Sequence, residues 1–211
     1  MSVLSMIKGL YAITPECADT AALLEKVKQA LRGGAALVQY RSKSNNVALK
    51  HEQATELLRL CQSFRIPLII NDDMRLAVLI EADGVHLGET DLTLKEARFN
   101  LGPNSIIGVS CYQDLDRAVQ LAGQGADYVA FGSFYPSPTK PDAKPCPLSV
   151  LTQAQAKLPT PIVVIGGITP KNAPALIQAG ADAVAVISAL FETADIELTA
   201  NLFTSFFAVK H

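Results

Sequence analysis

Ser137, Thr139 and Lys140 put two hydroxyls and an ammonium at the tip of a loop that holds five of the chain's twelve prolines. Proline fixes φ and donates no amide hydrogen. The stretch from Tyr128 to Pro147 therefore leaves its opening strand at Gly132 and continues as neither helix nor inner strand. A loop this long inside a compact domain is usually a lid or a binding loop. Hydroxyls beside a cation suit a phosphate-bearing ligand; a solvated surface loop with an ordinary lysine is the plain alternative.

Other charges fall at comparable points. Arg41 and Lys43 lie in Gln39-Tyr40-Arg41-Ser42-Lys43, Asp72 in Asn71-Asp72-Asp73, and Asp91 in Gly88-Glu89-Thr90-Asp91. Mg2+ takes oxygen ligands, through one or two carboxylates plus substrate phosphates, so Asp72 and Asp91 could anchor such an ion. Arg41, Lys43 and Lys140 would then hold the rest of a diphosphate, arginine through its fork and lysine as a point charge. The same aspartates also read as N-caps of helices beginning there, Asp73 and Asp91 most readily. Gly166-Gly167 permits close backbone approach, and Ile187-Ser188 can present amides at a helix start. Together they would form a second phosphate site.

These points share a position relative to the elements around them. Apolar runs recur at Gly9–Thr14, Ala36–Arg41, Pro67–Asn71, Gly84–Gly88, Ser105–Ser110, Tyr128–Gly132, Pro161–Gly166 and Ala183–Ser188. They are continuous rather than alternating, as in a parallel sheet covered on both faces. Between them lie stripes at helical spacing: Leu23, Leu24, Val27, Ala30 and Leu31; Leu115, Ala118, Val119 and Ala122; Ala173, Leu176 and Ile177; and Leu202, Phe203, Phe206 and Phe207. A weak repeat puts small residues before strands, as in Gly125-Ala126-Asp127 and Gly180-Ala181-Asp182, where glycine ends the preceding helix. Strand–helix units of about 25 residues fill the chain, which predicts one closed (β/α)8 TIM barrel over residues 1–211. In such a barrel the carboxyl ends of the strands share one face, and the polar residues above all sit at those ends.

Composition narrows the partners. Net charge is −2 with no block of like charges, which argues against nucleic acid or an anionic membrane as the main partner. No apolar run approaches membrane-spanning length. The N-terminal MSVLSMIK has neither the charged nor the apolar region of a secretory leader. Cys17, Cys61, Cys111 and Cys146 show no metal-ligand spacing and suit reduced thiols in the cytoplasm.

The chain resembles the thiamine phosphate synthase family nearly end to end. The resemblance rests on Gln39–Lys43, Asn71-Asp72-Asp73, Ala82-Asp83-Gly84-Val85-His86-Leu87-Gly88, Ile107-Gly108-Val109-Ser110, Ser137-Pro138-Thr139-Lys140 and Ile165-Gly166-Gly167-Ile168. It implies a transferase that joins 4-amino-2-methyl-5-(diphosphooxymethyl)pyrimidine to a thiazole phosphate and releases diphosphate. By that resemblance Asp72 and Asp91 hold Mg2+. Gln39, Tyr40, Arg41, Ser42, Lys43, Asn71, Ser110 and Lys140 bind the pyrimidine diphosphate. Ser137 and Thr139, with Gly167, Ile187 and Ser188, hold the thiazole phosphate. The implied mechanism is dissociative, with diphosphate leaving before the thiazole nitrogen attacks, and Arg41, Lys43, Ser110 and Lys140 would act at that step. Two departures stand out: Glu89 where the family usually has Gln, and Cys111-Tyr112 after Ser110. His86 reads as a packed or supporting histidine rather than a base, and His51 and His211 as solvent residues.

Competing readings are a thiazole tautomerase, which would need neither the Asp72–Asp91 pair nor Lys140; a non-catalytic phosphate-ligand sensor; and a phosphate-handling barrel isomerase. No acid/base pair stands at the strand ends for the last. A two-fold homodimer is the base-rate expectation for assembly.

Overall fold

The computed structural model describes residues 7–89, 93–137 and 144–208. Eight parallel strands pair in sequence order and close, β1 (Gly9–Ile13) lying beside β8 (Ala183–Val186). The others are β2 (Leu37–Tyr40), β3 (Leu68–Asn71), β4 (Gly84–Leu87), β5 (Ile106–Tyr112), β6 (Tyr128–Phe131) and β7 (Ile162–Ile165). Closure removes the unpaired edges of an open sheet. Seven expected strands overshoot by a residue or so at their ends. β5 instead runs past Ser110 to Tyr112, where its register against β6 shifts and Tyr112 takes a left-handed φ of 55°.

Helices pack outside. They are α1 (Thr20–Arg32), α2 (Val47–Phe64), α3 (Met74–Leu79), α4 (Leu94–Leu101), α5 (Leu115–Gly123), α6 (Leu148–Lys157), α7 (Ala173–Gln178), the short α8 (Ser188–Phe191) and α9 (Ile196–Ala208). The α1 stripe buries Leu23, Val27, Ala30 and Leu31. Two stripes turn out narrower than expected. In α5 only Ala118 is fully buried and Val119 faces solvent, while in α9 Phe203 is buried and Leu202 is exposed.

The strands divide their residues between two cores with a period of two. Leu10, Ala12, Val38, Tyr40, Ile70, Val85 and Leu87 face the helices. Tyr11, Ile13, Leu37, Ile69, Ile106, Tyr128, Ala130, Val163, Ala183 and Ala185 fill the barrel interior. Both faces are dry, which explains the continuous apolar runs. The interior is filled by large side chains beside small ones. A Cβ on Gly108 would lie 1.9 Å from Cζ of Tyr128, so that glycine is the space the Tyr128 ring occupies.

The repeat before the strands has a function beyond helix termination. Asp83 accepts a hydrogen bond from the Leu68 amide at 2.8 Å, Asp127 from the Ile107 amide at 2.8 Å, and Asp182 from the Ile162 amide at 2.9 Å. Each aspartate stands just before an even-numbered strand and satisfies an amide at the start of the preceding odd one. These clasps tie neighbouring units together at the end of the barrel away from the strands' carboxyl termini. Asp182→Ala leaves the Ile162 amide without that partner. We expect a loss of about 1–3 kcal/mol, seen as a melting temperature lower by roughly 2–10 °C, with activity per folded molecule unchanged at low temperature.

Burial pushes the thiols of Cys61 and Cys111 up to about 12 and that of Cys146 up to about 11. All four cysteines are free, and Cys17 is the one among them that is not buried. Native protein at pH 8 should therefore give about one fast-reacting thiol with a disulfide reagent and the other three only on unfolding.

Candidate active site

A cavity of about 760 Å3 opens at the carboxyl ends of the strands. Almost every strand contributes its last residues: Gln39 and Arg41 at β2, Asn71 and Asp72 at β3, and Gly88 and Glu89 after β4. Ser110, Tyr112 and Gln113 follow at β5, Gly166 and Gly167 after β7, and Ile187 and Ser188 after β8. Ser137 and Lys144 approach from the two described arms of the proline loop. Asp91, Thr139 and Lys140 lie outside the described residues.

The segment after β2 divides its residues. Gln39 faces inward and sits on the cavity floor. Tyr40, one residue on, must face outward by the strand's period. Its hydroxyl donates to Gln53 of α2 at 2.9 Å, so it supports the barrel wall and does not line the cavity. That placement departs from the substrate contact expected of Tyr40. Arg41 comes next and does line the cavity. Its backbone is clasped by Thr14, whose hydroxyl accepts from the Arg41 amide at 2.9 Å and donates to the Arg41 carbonyl at 3.2 Å. Glu16 reaches the same segment: its carboxylate lies 3.6 Å from the Arg41 guanidinium and accepts from the Lys43 amide at 2.9 Å. Ser42 accepts from the Ser44 amide at 3.2 Å and shapes the turn. Neither Ser42 nor Lys43 is among the residues that line the cavity.

After β3 two adjacent aspartates take different work. Asp73 caps α3, accepting from the Leu76 amide at 3.0 Å and from Lys50 at 2.6 Å. Burial alone would raise its carboxyl, but these donors outweigh burial and hold it below the usual carboxylate range. Asp72 adopts a left-handed φ of 60° and accepts from the Asn71 side-chain amide at 2.7 Å. A non-glycine residue there costs on the order of 1 kcal/mol, and the twist ends β3 so that Asp72 borders the cavity while Asp73 starts the helix. The cap of α4 is Thr93, in a capping box with Glu96.

Gly166 and Gly167 have φ of 105° and 61°. A Cβ on the first would lie 1.9 Å from Oγ of Ser133, and one on the second 2.3 Å from the Pro136 carbonyl. The pair is needed because the loop after β6 lies directly on the turn after β7. The Phe134 amide donates to the Ile165 carbonyl at 3.2 Å and the Tyr135 amide to the Gly166 carbonyl at 3.0 Å. The root of the proline loop is thus anchored on β7.

Beneath the mouth runs a line of buried hydrogen bonds through five strands. Gln39 Nε2 donates to the Tyr11 hydroxyl at 2.9 Å, Tyr11 meets Tyr128 at 2.9 Å, Tyr128 meets His86 Nδ1 at 2.9 Å, and His86 Nε2 meets Ser110 Oγ at 2.8 Å. Burial pushes both tyrosine hydroxyls well above their ordinary range, so they stay protonated and act as neutral links. His86 is accordingly a packed, supporting histidine.

Asp72 and Glu89 are two carboxylates on the same rim, and the amide of Asn71 stands beside the first. No cluster of three or more His, Cys, Asp or Glu forms among the described residues. Such a donor set suits a hard cation completed by substrate phosphates and not a metal caged by protein alone. Lys144, Glu16, Tyr11 and Tyr128 were not legible as site residues from sequence. Nothing in the sequence separates Lys144 from other loop lysines, and Tyr11 and Tyr128 carry only the signal of apolar strands. No helix among the described residues is long and apolar enough to cross a membrane.

A closed parallel barrel with arginine, lysine, carboxylate and hydroxyl groups around its C-terminal mouth defines an enzyme of the (β/α)8 class. The sequence pattern of the family described as thiamine monophosphate synthase matches residues 10–190. The chain is 54% identical over 202 residues to a thiamine-phosphate synthase of Thiobacillus denitrificans, covering 96% of each. It is 50% identical to one of Azoarcus sp., covering 96% of this chain and 98% of that protein. Among solved structures, the thiamine phosphate pyrophosphorylase of Pyrococcus furiosus superposes with a TM-score of 0.86 at 31% identity, covering 98% of each chain. The chain therefore belongs to the thiamine monophosphate synthase family and is a transferase.

Proposed function

We propose that the enzyme condenses 4-amino-2-methyl-5-(diphosphooxymethyl)pyrimidine with 4-methyl-5-(2-phosphooxyethyl)thiazole to give thiamine phosphate and diphosphate. The observation that carries this reading is the meeting of Arg41, Asn71, Asp72, Ser110, Ser137 and Gly167 around one cavity, from five separate strand ends. Its volume of about 760 Å3 is in the range that holds one or two small organic molecules. Asp72, with Asp91, would hold Mg2+, and Glu89 adds a carboxylate on the rim that Asp72 borders. When bound, the ion would neutralise charge on the departing diphosphate.

The chain's own residues do the rest. Arg41 offers a planar fork to phosphate oxygens, Lys140 and Lys144 would supply further positive charge to the same anion, and Lys43, which does not line the cavity, would add to the field around it. The ion pair of Arg41 with Glu16 is 3.6 Å long and partly exposed, so it leaves guanidinium donors for a phosphate. The C–O bond to diphosphate breaks first, its electrons leaving with the diphosphate. The thiazole nitrogen then donates its lone pair to the pyrimidinylmethyl carbon, forming the new C–N bond. No protein nucleophile is required, in keeping with the buried and unreactive Cys111. Ser137, Thr139, Gly167, Ile187 and Ser188 would seat the thiazole phosphate so that its nitrogen faces that carbon, and the proline loop would exclude water. The same reading carries work in the cytoplasm, with a homodimer as the assembly.

The test is incubation with both substrates and Mg2+, following diphosphate and thiamine phosphate together. Equimolar appearance of the two is expected. Binding of thiazole phosphate without turnover would instead point to a sensor.

A further inference from the structure

Resting on the reading of the cavity as the seat of the pyrimidine diphosphate, we propose that Tyr11, Tyr128 and His86 are positioning residues whose hydrogen-bond chain fixes Ser110 as a donor toward that substrate. The proton count along the chain carries the inference. Gln39 Nε2 donates to Tyr11, so the Tyr11 hydroxyl proton goes on to Tyr128, and the Tyr128 proton to Nδ1 of His86. A neutral imidazole that accepts at Nδ1 carries its proton on Nε2 and gives it to Ser110 Oγ. The Ser110 hydroxyl hydrogen then has no use in the chain and is turned to the cavity that Ser110 lines.

With Gln39 Nε2 donating to Tyr11, the opposite sense fails at the far end. If Ser110 donated to His86, then Nδ1 would donate to Tyr128 and Tyr128 to Tyr11. Tyr11 would receive two hydrogens, one from Tyr128 and one from Gln39, and its own would lack an acceptor in a residue only 1% exposed. Leaving a buried donor unmatched is costly, and the Gln39 amide would have to turn over to prevent it. Sterics lock the arrangement as well. Tyr128 stacks on His86 at a centroid distance of 5.6 Å and meets Tyr11 edge-on at 5.9 Å, over the space left by Gly108. Ser110 therefore faces an acceptor, a phosphate oxygen or a ring nitrogen of the pyrimidine diphosphate, and discriminates against a donor at the same place.

Two measurements decide it. The first is the two-bond proton–nitrogen spectrum of the histidines in ligand-free wild-type protein. His86 is expected with its proton on Nε2 and a bare Nδ1; a proton on Nδ1 overturns the proposal. This readout needs no activity, so it stands even if wild-type protein makes no thiamine phosphate, which would sink the functional reading alone. The second is kinetic. Tyr128→Phe should lower kcat/KM for the pyrimidine diphosphate by about tenfold, leave KM for the thiazole phosphate unmoved and mix the His86 tautomers. His86→Gln keeps an N–H near the place of Nε2 and should outperform His86→Asn by about tenfold. Wild-type kinetics in Tyr128→Phe, equal losses in the two His86 variants, or a parallel loss toward both substrates would each overturn it.

Discussion

Asp72→Ala is expected to cut turnover at least about 100-fold while leaving the melting temperature within a few degrees of wild type. A loss of that size corresponds to about 2.7 kcal/mol of transition-state stabilisation, the order expected when one charge partner of a departing group is removed. The fold should tolerate the change because the neighbouring Asp73, and not Asp72, caps α3 and holds Lys50. Relief of the left-handed φ at Asp72 offers no gain, since alanine is no better suited to it than aspartate. Asp72→Asn separates charge from hydrogen bonding. It preserves an oxygen that can accept from Asn71, now 2.7 Å away, yet carries no negative charge for a cation. If the carboxylate serves Mg2+, the asparagine variant should lose nearly as much as the alanine variant, and chelator should silence the wild type until Mg2+ is returned. Full activity in chelator, or a fully active Asp72→Asn, would contradict the metal assignment. Lys140→Ala should show a loss of similar size in turnover.

Gly108→Ala should damage both stability and turnover. The added methyl would lie 1.9 Å from Cζ of Tyr128 and 2.3 Å from its hydroxyl oxygen, in the packed barrel interior. The Tyr128 ring has to move, and with it the hydrogen bonds to Tyr11 and His86. Overpacking costs about 1–3 kcal/mol. Broken buried hydrogen bonds add to that, so the melting temperature should fall by roughly 5–10 °C. Molecules that remain folded should turn over at least about tenfold more slowly, because Ser110 loses the support that orients it. Unchanged melting and full activity would show that the Tyr128 ring does not fill the space Gly108 leaves. Calorimetry and initial rates on the same preparation separate the two effects.

Much of this molecule is legible from its sequence, and the limits follow a pattern. The eight strands were found because continuous apolar runs between amphipathic stretches are a local property. The polar residues at their carboxyl ends were found because a barrel puts all those ends on one face. Asp73 could be read as a cap because capping acts over three residues. Tyr40 shows a limit: the run Gln39–Lys43 gives no sign of which side chains turn outward, and in the fold the Tyr40 hydroxyl donates to Gln53. Glu16 carries no local signal, because nothing near it in the chain hints at Arg41, 25 positions on.

The number of strand–helix units, their order and the chemical types gathered at the mouth are local properties of the chain. Those follow from short-range periodicity and from the rule that parallel strands point the same way. That Gln39, Tyr11, Tyr128, His86 and Ser110 form one line emerges only in the folded barrel. The Tyr11–Tyr128 link joins residues 117 positions apart. The tilt and stagger of the closed barrel set which inward-facing side chains share a level, and that stagger is a property of the whole ring of strands, written in no single segment.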